Sequence, residues 1–292
     1  SKELGDIIID FLTITLLEKS YWRLKYEIEN CKIVEIDFIF KGLTKLPESL
    51  QNLTHLKSLV LRYNQLTQLP DWIGTLRYLN SLNINVNNLN ELTPSIGDLK
   101  ALKELHLWKN ELSYLPNSIG HLKNLKILNL RLNQLKSLPK SIEHLISLEN
   151  LNLHDNQLNY LPESIGNLKS LKYLNLSWNN LKQLPPSLGN LSSLKFLDLE
   201  RNELSSIPKN IGLLPSLEHL NLSDNNLKEL PNNIGNLSSL RYLNISRNEL
   251  SLLPGSIISL DNLQELFLGE NNFSSISKLI NLLEEKEISV HY

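Results

Sequence analysis

His154, Asp155 and Ser177 come nearest in this chain to a hydrolytic set. A Ser–His–acid site needs the carboxylate to orient the far imidazole nitrogen and donors placed to hold an oxyanion. His154 and Asp155 are sequence neighbours, which aims the acid poorly, so no catalytic residue is assigned and an enzyme is not expected. His121 and His144 have no third ligand such as Cys or Asp nearby, so no metal and no cofactor is expected. The sequence contains no GxxxxGK[ST], GxGxxG or GxSxG, which leaves phosphate cradles and nucleophile elbows without support. What remains is a set of side chains suited to binding. Tyr173, Phe196, His219 and Tyr242 recur at one fixed interval, as do Trp108, Arg131 and His154, and Leu132, Trp178 and Arg201 fall on a third series of the same period. Clustered Trp, Tyr and Arg are the residue types that carry binding energy in interfaces.

That period runs through most of the chain. From Cys31 to Leu283 the sequence divides into eleven 23-residue repeats without one insertion. Positions 3, 6, 8, 13, 16, 20 and 23 of each repeat are apolar; in the seventh they are Leu171, Leu174, Leu176, Leu181, Leu184, Leu188 and Leu191. One repeat cannot bury seven such residues alone, so the repeats must stack and share a core. Position 11 is Asn in every repeat except the first, where it is Lys41. A small amide at an inward turn can donate to a backbone carbonyl and accept from a backbone N–H, so this column is expected to be structural. Position 17 is Pro in nine repeats, which fixes an extended path. The recurrent Gly at position 21 suits a turn that ends a short helical or 3-10 segment. The Asn series at position 7, such as Asn152 and Asn175, is expected to be solvated strand surface.

The pattern LxxLxxLxLxxNxLxxLPxxIGxL resembles that of leucine-rich repeat proteins, in the 23-residue form of the Ras-group and bacterial intracellular members. The resemblance implies an α/β solenoid: a curved horseshoe with a concave parallel sheet and short helical, 3-10 or extended segments on the convex side. It also implies a non-enzymatic scaffold that binds a protein partner on the concave face, with small GTPases and signalling proteins among the partners. On that frame a strand covers about positions 5 to 8. Tyr173, Phe196, His219 and Tyr242 then stand at its start, while Trp178 and its neighbours stand on the surface past its end. The two groups are roughly 16 Å apart.

Residues 1–30 read as a capping region. Leu4, Ile7, Ile8, Phe11, Leu12 and Leu16 fall at helical spacing and are expected to pack on the first repeat, with Tyr21, Trp22 and Tyr26 continuing the cap. Residues 284–292 read as a C-terminal cap whose strand, 288–292, closes the sheet edge. Cys31, the one cysteine, is expected to pack in the core; with no internal disulfide possible, the chain fits a reducing, cytoplasmic setting, including that of a bacterial effector delivered into a host cell. With no Met in the sequence, the chain is expected to be a trimmed or processed form. Ten basic residues at positions 1 and 4, from Lys57 to Arg241, are expected to form a rim that could steer an acidic protein. Aromatic residues do not interleave with that rim, and the formal net charge is −2, so nucleic acid is not expected as a partner. The longest apolar stretch, 7–17, is too short to span a bilayer, so no membrane is expected either, and the chain is read as a monomer. The alternative is a recognition fragment of a larger leucine-rich repeat enzyme, such as a GTPase, kinase or ubiquitin ligase.

Overall fold

A computed structural model describes residues 2–274 and 276–292. The chain forms two compact units, the first ending at Gln134 and the second running from Leu135 to Tyr292. The first begins with helix α1 (Lys2–Ser20), followed by strands β1 (Lys25–Glu29), β2 (Lys32–Asp37), β3 (Ser58–Val60), β4 (Ser81–Asn83), β5 (Glu104–His106) and β6 (Ile127–Asn129). β1 and β2 are antiparallel; β2 to β6 pair in parallel, each with the next. The second unit holds β7 (Asn150–Asn152), β8 (Tyr173–Asn175), β9 (Phe196–Asp198), β10 (His219–Asn221), β11 (Tyr242–Asn244) and β12 (Glu265–Phe267), then helix α2 (Ser277–Glu284) and β13 (Ser289–His291). Its strands also pair in parallel, each with the next, and β13 lies against β12. Each unit is thus built as an α/β solenoid.

Alternation places the middle residue of each strand from β3 to β12, Leu174 in β8 for example, in the core and leaves most of its neighbours half-buried on the sheet face. The strands cover positions 5 to 7, one residue fewer than expected. On the far side of each turn the proline column supplies the residue before a five-residue 3-10 segment. Pro162 (φ −69°, ψ 148°) precedes Glu163–Asn167 in this way. The position-21 glycines lie inside these segments and do not take up positive φ. They are required because successive segments approach closely. A Cβ at Gly74 would sit 2.7 Å from the Ser95 carbonyl oxygen, and at Gly166, Gly189 and Gly212 the corresponding approach is closer still.

The asparagine column is a ladder. Asn179 Nδ2 donates to the carbonyls of Leu153 and Leu176, both at 3.0 Å, and its Oδ1 accepts from Leu158 N at 2.9 Å. One buried amide therefore ties two successive repeats together, where the sequence suggested a single carbonyl. Asn87, Asn110, Asn202 and Asn225 repeat the arrangement within their own units. Lys41, the exception, reaches to the chain ahead of the first repeat: its Nζ donates to the carbonyls of Trp22 at 2.7 Å and Arg23 at 3.3 Å.

Two expectations for the N-terminal region are corrected. Helix α1 buries the stripe Asp10, Thr13, Ile14 and Leu17, spaced i, i+3, i+4, i+7, and turns outward the face expected to pack. Phe11 is 68 % exposed and Leu12 57 %. Asp10 settles the orientation, because its carboxylate accepts from Ile33 N in β2 at 2.9 Å. Burial pushes the Asp10 carboxyl above its ordinary range. Cys31 is exposed rather than packed. Asn30 and Cys31 form the two-residue turn between β1 and β2, both with positive φ (48° and 62°), as right-handed strand twist favours in hairpins.

Candidate functional site

The side chains on the sheet face are set by the turn after the strand. Where position 7 is Asn or Asp, its side chain makes that turn. Asn175 Oδ1 accepts from Ser177 N at 2.9 Å, Asp198 Oδ1 from Glu200 N at 3.0 Å, and Asn221 and Asn244 do the same two residues on. The column expected to be solvated surface thus shapes the chain. Position 10 comes next and is left-handed in each repeat, from Phe40 (φ 54°) to Glu270 (φ 56°). These residues are mostly bulky or charged, types that avoid this region. They are held there by bonds to the next repeat: Trp178 N donates to Glu200 O at 2.8 Å and Asn179 N to Arg201 O at 3.2 Å. The left-handed turn throws the side chain outward, and Trp178 (φ 56°) is 43 % exposed, on the surface as expected.

Trp178 does not stand alone. The Arg201 guanidinium lies 4.1 Å from its ring centroid, and His154 approaches at 6.0 Å with planes inclined by 59°. Arg201 also faces Asp224 at 3.7 Å. Asp224 meets Arg247 at 3.5 Å, and Arg247 meets Glu270 at 3.0 Å. From Trp178 onward the position-10 column of the second unit therefore reads ring, cation, anion, cation, anion.

Tyr173, Phe196, His219 and Tyr242 form a continuous stack along β8 to β11. Centroids are 4.5, 4.4 and 4.1 Å apart and planes lie within 10° of parallel. Parallel pairing at one repeat position brings these residues into register. Beyond Tyr242 the stack tilts by 41° to Phe267 and resumes with His291 at 4.2 Å. All four residues are half-buried, so the ladder both covers the sheet and presents ring edges to solvent. Burial holds His219 at a pKa of about 4, so its ring is neutral within the stack at neutral pH.

The remaining three residues lie in the first unit. Trp108 is half-buried, its N donates to Asn85 Oδ1 at 2.8 Å, and its indole N–H is buried without an acceptor among the described residues. Arg131 is exposed, and Leu132 is a half-buried left-handed residue (φ 55°).

His154 Nδ1 lies 2.7 Å from Ser177 Oγ, but this pair is not arranged for catalysis. Ser177 is buried, and its hydroxyl donates to Asn175 Oδ1 at 2.6 Å, which leaves His154 to donate into it. The serine proton is directed away from the imidazole, so no base activates the hydroxyl. Among the described residues no group of three His, Cys, Asp or Glu is placed to hold a metal ion, and no helix is long and apolar enough to cross a membrane.

The basic rim differs from the expectation in the second unit. Lys172 pairs with Glu149 at 2.6 Å and Lys195 with Glu218 at 2.8 Å, each one repeat away, so much of its charge is offset. Sequence reasoning also missed Phe267 and His291 in the ladder and the run Asp224, Arg247, Glu270. The run was visible as the continuation of the position-10 column. Phe267 stands where most repeats carry Asn or Asp, and His291 lies outside the repeat, beside Phe267 only through β12–β13 pairing.

Models of leucine-rich repeats match residues 40–126, 96–172 and 156–222 as a leucine-rich repeat region, and 201–250 and 215–273 as a leucine rich repeat. The chain is a leucine-rich repeat protein. A search of the curated proteins finds no match. Among solved structures, the repeat protein is 30 % identical to a leucine-rich repeat protein of Leptospira interrogans, with a TM-score of 0.55 over 86 % of this chain and 82 % of that one. It is 29 % identical to a TDR receptor (TM-score 0.77, 88 % and 46 % covered). It is 28 % identical to the plant peptide hormone receptor RGFR1, solved in complex with RGF2 (TM-score 0.65, 78 % and 42 % covered). The repeat protein thus spans most of the Leptospira protein and less than half of either receptor.

Proposed function

We propose that this repeat protein is a non-enzymatic interaction module that binds a protein partner on the sheet face of its second unit. The observation that carries this reading is the ladder Tyr173–Phe196–His219–Tyr242, an aromatic ridge on a face otherwise lined with polar and acidic side chains such as Asn175, Asp198, Glu200 and Ser246. Such a ridge, together with the exposed Trp178–Arg201 pair, supplies the anchor residues of a binding surface. The family supports it, and a plant receptor of similar fold is solved with a peptide hormone. Small GTPases and signalling assemblies are candidate partners through the family resemblance, and a reducing, cytoplasmic setting, that of a delivered effector included, accords with a chain whose one cysteine is unpaired. The test is capture with the intact protein beside a Phe196→Ser/Tyr242→Ser variant of unchanged melting midpoint. A partner retained by the parent and lost by the variant is the expected result; equal retention by both contradicts the reading.

A further inference from the structure

The sheet face of the second unit is acidic as well as aromatic. Asp198, Glu200, Asp224, Glu265 and Glu270 lie on or beside β9 to β12, against Arg201 and Arg247, while Lys195, Glu218 and Arg241 stand at the strand starts, where Lys195 and Arg241 both act on Glu218. The two arginines are already engaged with Asp224 and Glu270, whereas Glu200 has only a 4.0 Å approach to Arg201. Asp198 lies within 3.4 Å of Asn175 Nδ2, with no cation beside it among the described residues to offset its charge. Burial and the neighbouring Glu200 raise the Asp198 carboxyl above its ordinary range, and burial together with Glu265, Asp198 and Glu200 raises the Tyr242 phenol. The Tyr242 phenol thus has the carboxylates of Glu265, Asp198 and Glu200 near it.

Beside Tyr242 the sheet face opens into a cavity of about 450 Å³ lined by Glu200, Asp224, Tyr242, Arg247, Phe267 and Glu270, among others. It lies where the ladder breaks, in the wedge between the tilted rings of Tyr242 and Phe267. Three carboxylates and one guanidinium leave the lining acidic. Here the two rings diverge by 41° instead of lying parallel, as they do along the rest of the ladder.

We infer that the partner segment on this face is basic, with a lysine or arginine head entering the cavity at Tyr242, Phe267 and Glu200 while its aliphatic stem lies along the ladder. The inference rests on the reading of this face as the binding surface. Lys and Arg suit it because their stems are apolar and their heads seek carboxylates. It runs against the expectation of an acidic partner steered by the rim, because in the second unit Glu149 and Glu218 already offset Lys172 and Lys195. Complementary charge of this kind sets specificity and association rate, and it weakens with salt.

The test is selection of a displayed random peptide library on the intact protein, using peptides of about 12 residues, which span roughly 40 Å when extended. Enriched peptides are then measured against the parent, a Glu200→Gln/Glu265→Gln variant and a Tyr242→Ala variant, each with a parental melting midpoint. Enriched peptides should be net positive, should bind both variants about tenfold more weakly, and should lose affinity from about 0.05 to about 0.5 M salt. Neutral or acidic peptides, or basic ones indifferent to Glu200→Gln/Glu265→Gln, overturn the charge inference. If those peptides still lose affinity for Tyr242→Ala, the face reading survives. Peptides indifferent to both variants, or no enrichment at all, contradict both readings.

Discussion

At the fifth repeat position the first unit carries Ser58, Ser81, Glu104 and Ile127, where the second carries Tyr173, Phe196, His219 and Tyr242. The backbone beneath is the same: three-residue parallel strands, a left-handed residue at position 10 and a buried Asn at position 11. The rims differ too. In the first unit Lys57 pairs with Glu29, and positions 1 and 4 hold no acid to offset Arg77, Lys100, Lys103 and Lys123. In the second, lysines and glutamates pair between repeats. The leucine and asparagine columns fix the scaffold in both units, and the outward columns are free to carry different chemistry. Binding is therefore to be sought where the two units diverge.

The largest effect should come from what they share. Asn110→Ala in the first unit and Asn179→Ala in the second each leave one buried N–H, of Leu89 or Leu158, without its acceptor and remove one of the two asparagine donors from each of two carbonyls, at a cost of about 1–3 kcal/mol in stability. Chemical denaturation should show similar losses for both; an unshifted midpoint for either would end the ladder account. Next is Trp178→Ala, which should weaken partner binding by about 2 kcal/mol while costing less than about 1 kcal/mol of stability, because Trp178 packs mainly on Arg201 and His154 at the surface. Unfolding of that variant would show that the ring is structural.

A smaller effect separates the ladder from an ordinary surface. His219 titrates at about 4, below its ordinary 6.5, so on acidification the unfolded chain takes up the proton first. The stability this burial confers is complete above about pH 6.5 and is lost as pH falls toward about 4. His219→Phe keeps a ring in the stack and removes the titration, so its melting midpoint should fall less than the parent's over that window; parallel curves would place His219 outside the stack. Smallest is Lys172→Gln. Its exposed pair with Glu149 is worth about 0.2–1 kcal/mol at most, and neither stability nor partner binding should move measurably beyond that.

The repeat and its buried columns were legible because one unbroken period aligns Leu with Leu and Asn with Asn. The left-handed turn was not, because Phe40, Trp178 and Arg247 are not residues that advertise positive φ; bonds to the next repeat impose it, against a cost of about 1–2 kcal/mol per residue. The α1 face was misread because apolar content was weighed above a buried carboxylate: Asp10 points inward to bond Ile33 N, and Phe11 and Leu12 are carried outward with the turn of the helix. In the candidate site, the four ladder residues and the surface position of Trp178 could be read from the period. The pairing of Arg201 with both Trp178 and Asp224 needed coordinates, since it depends on the direction each turn gives its side chain.

The most direct test gives the second unit the outward chemistry of the first. Tyr173, Phe196 and Tyr242 are replaced together by Ser, and affinity for a purified captured partner is measured beside the melting midpoint. The account predicts a loss of affinity of about a hundredfold or more, with the cooperative unfolding transition retained. Undiminished affinity in the folded triple variant would contradict it, because the ladder would then serve only to cover the sheet.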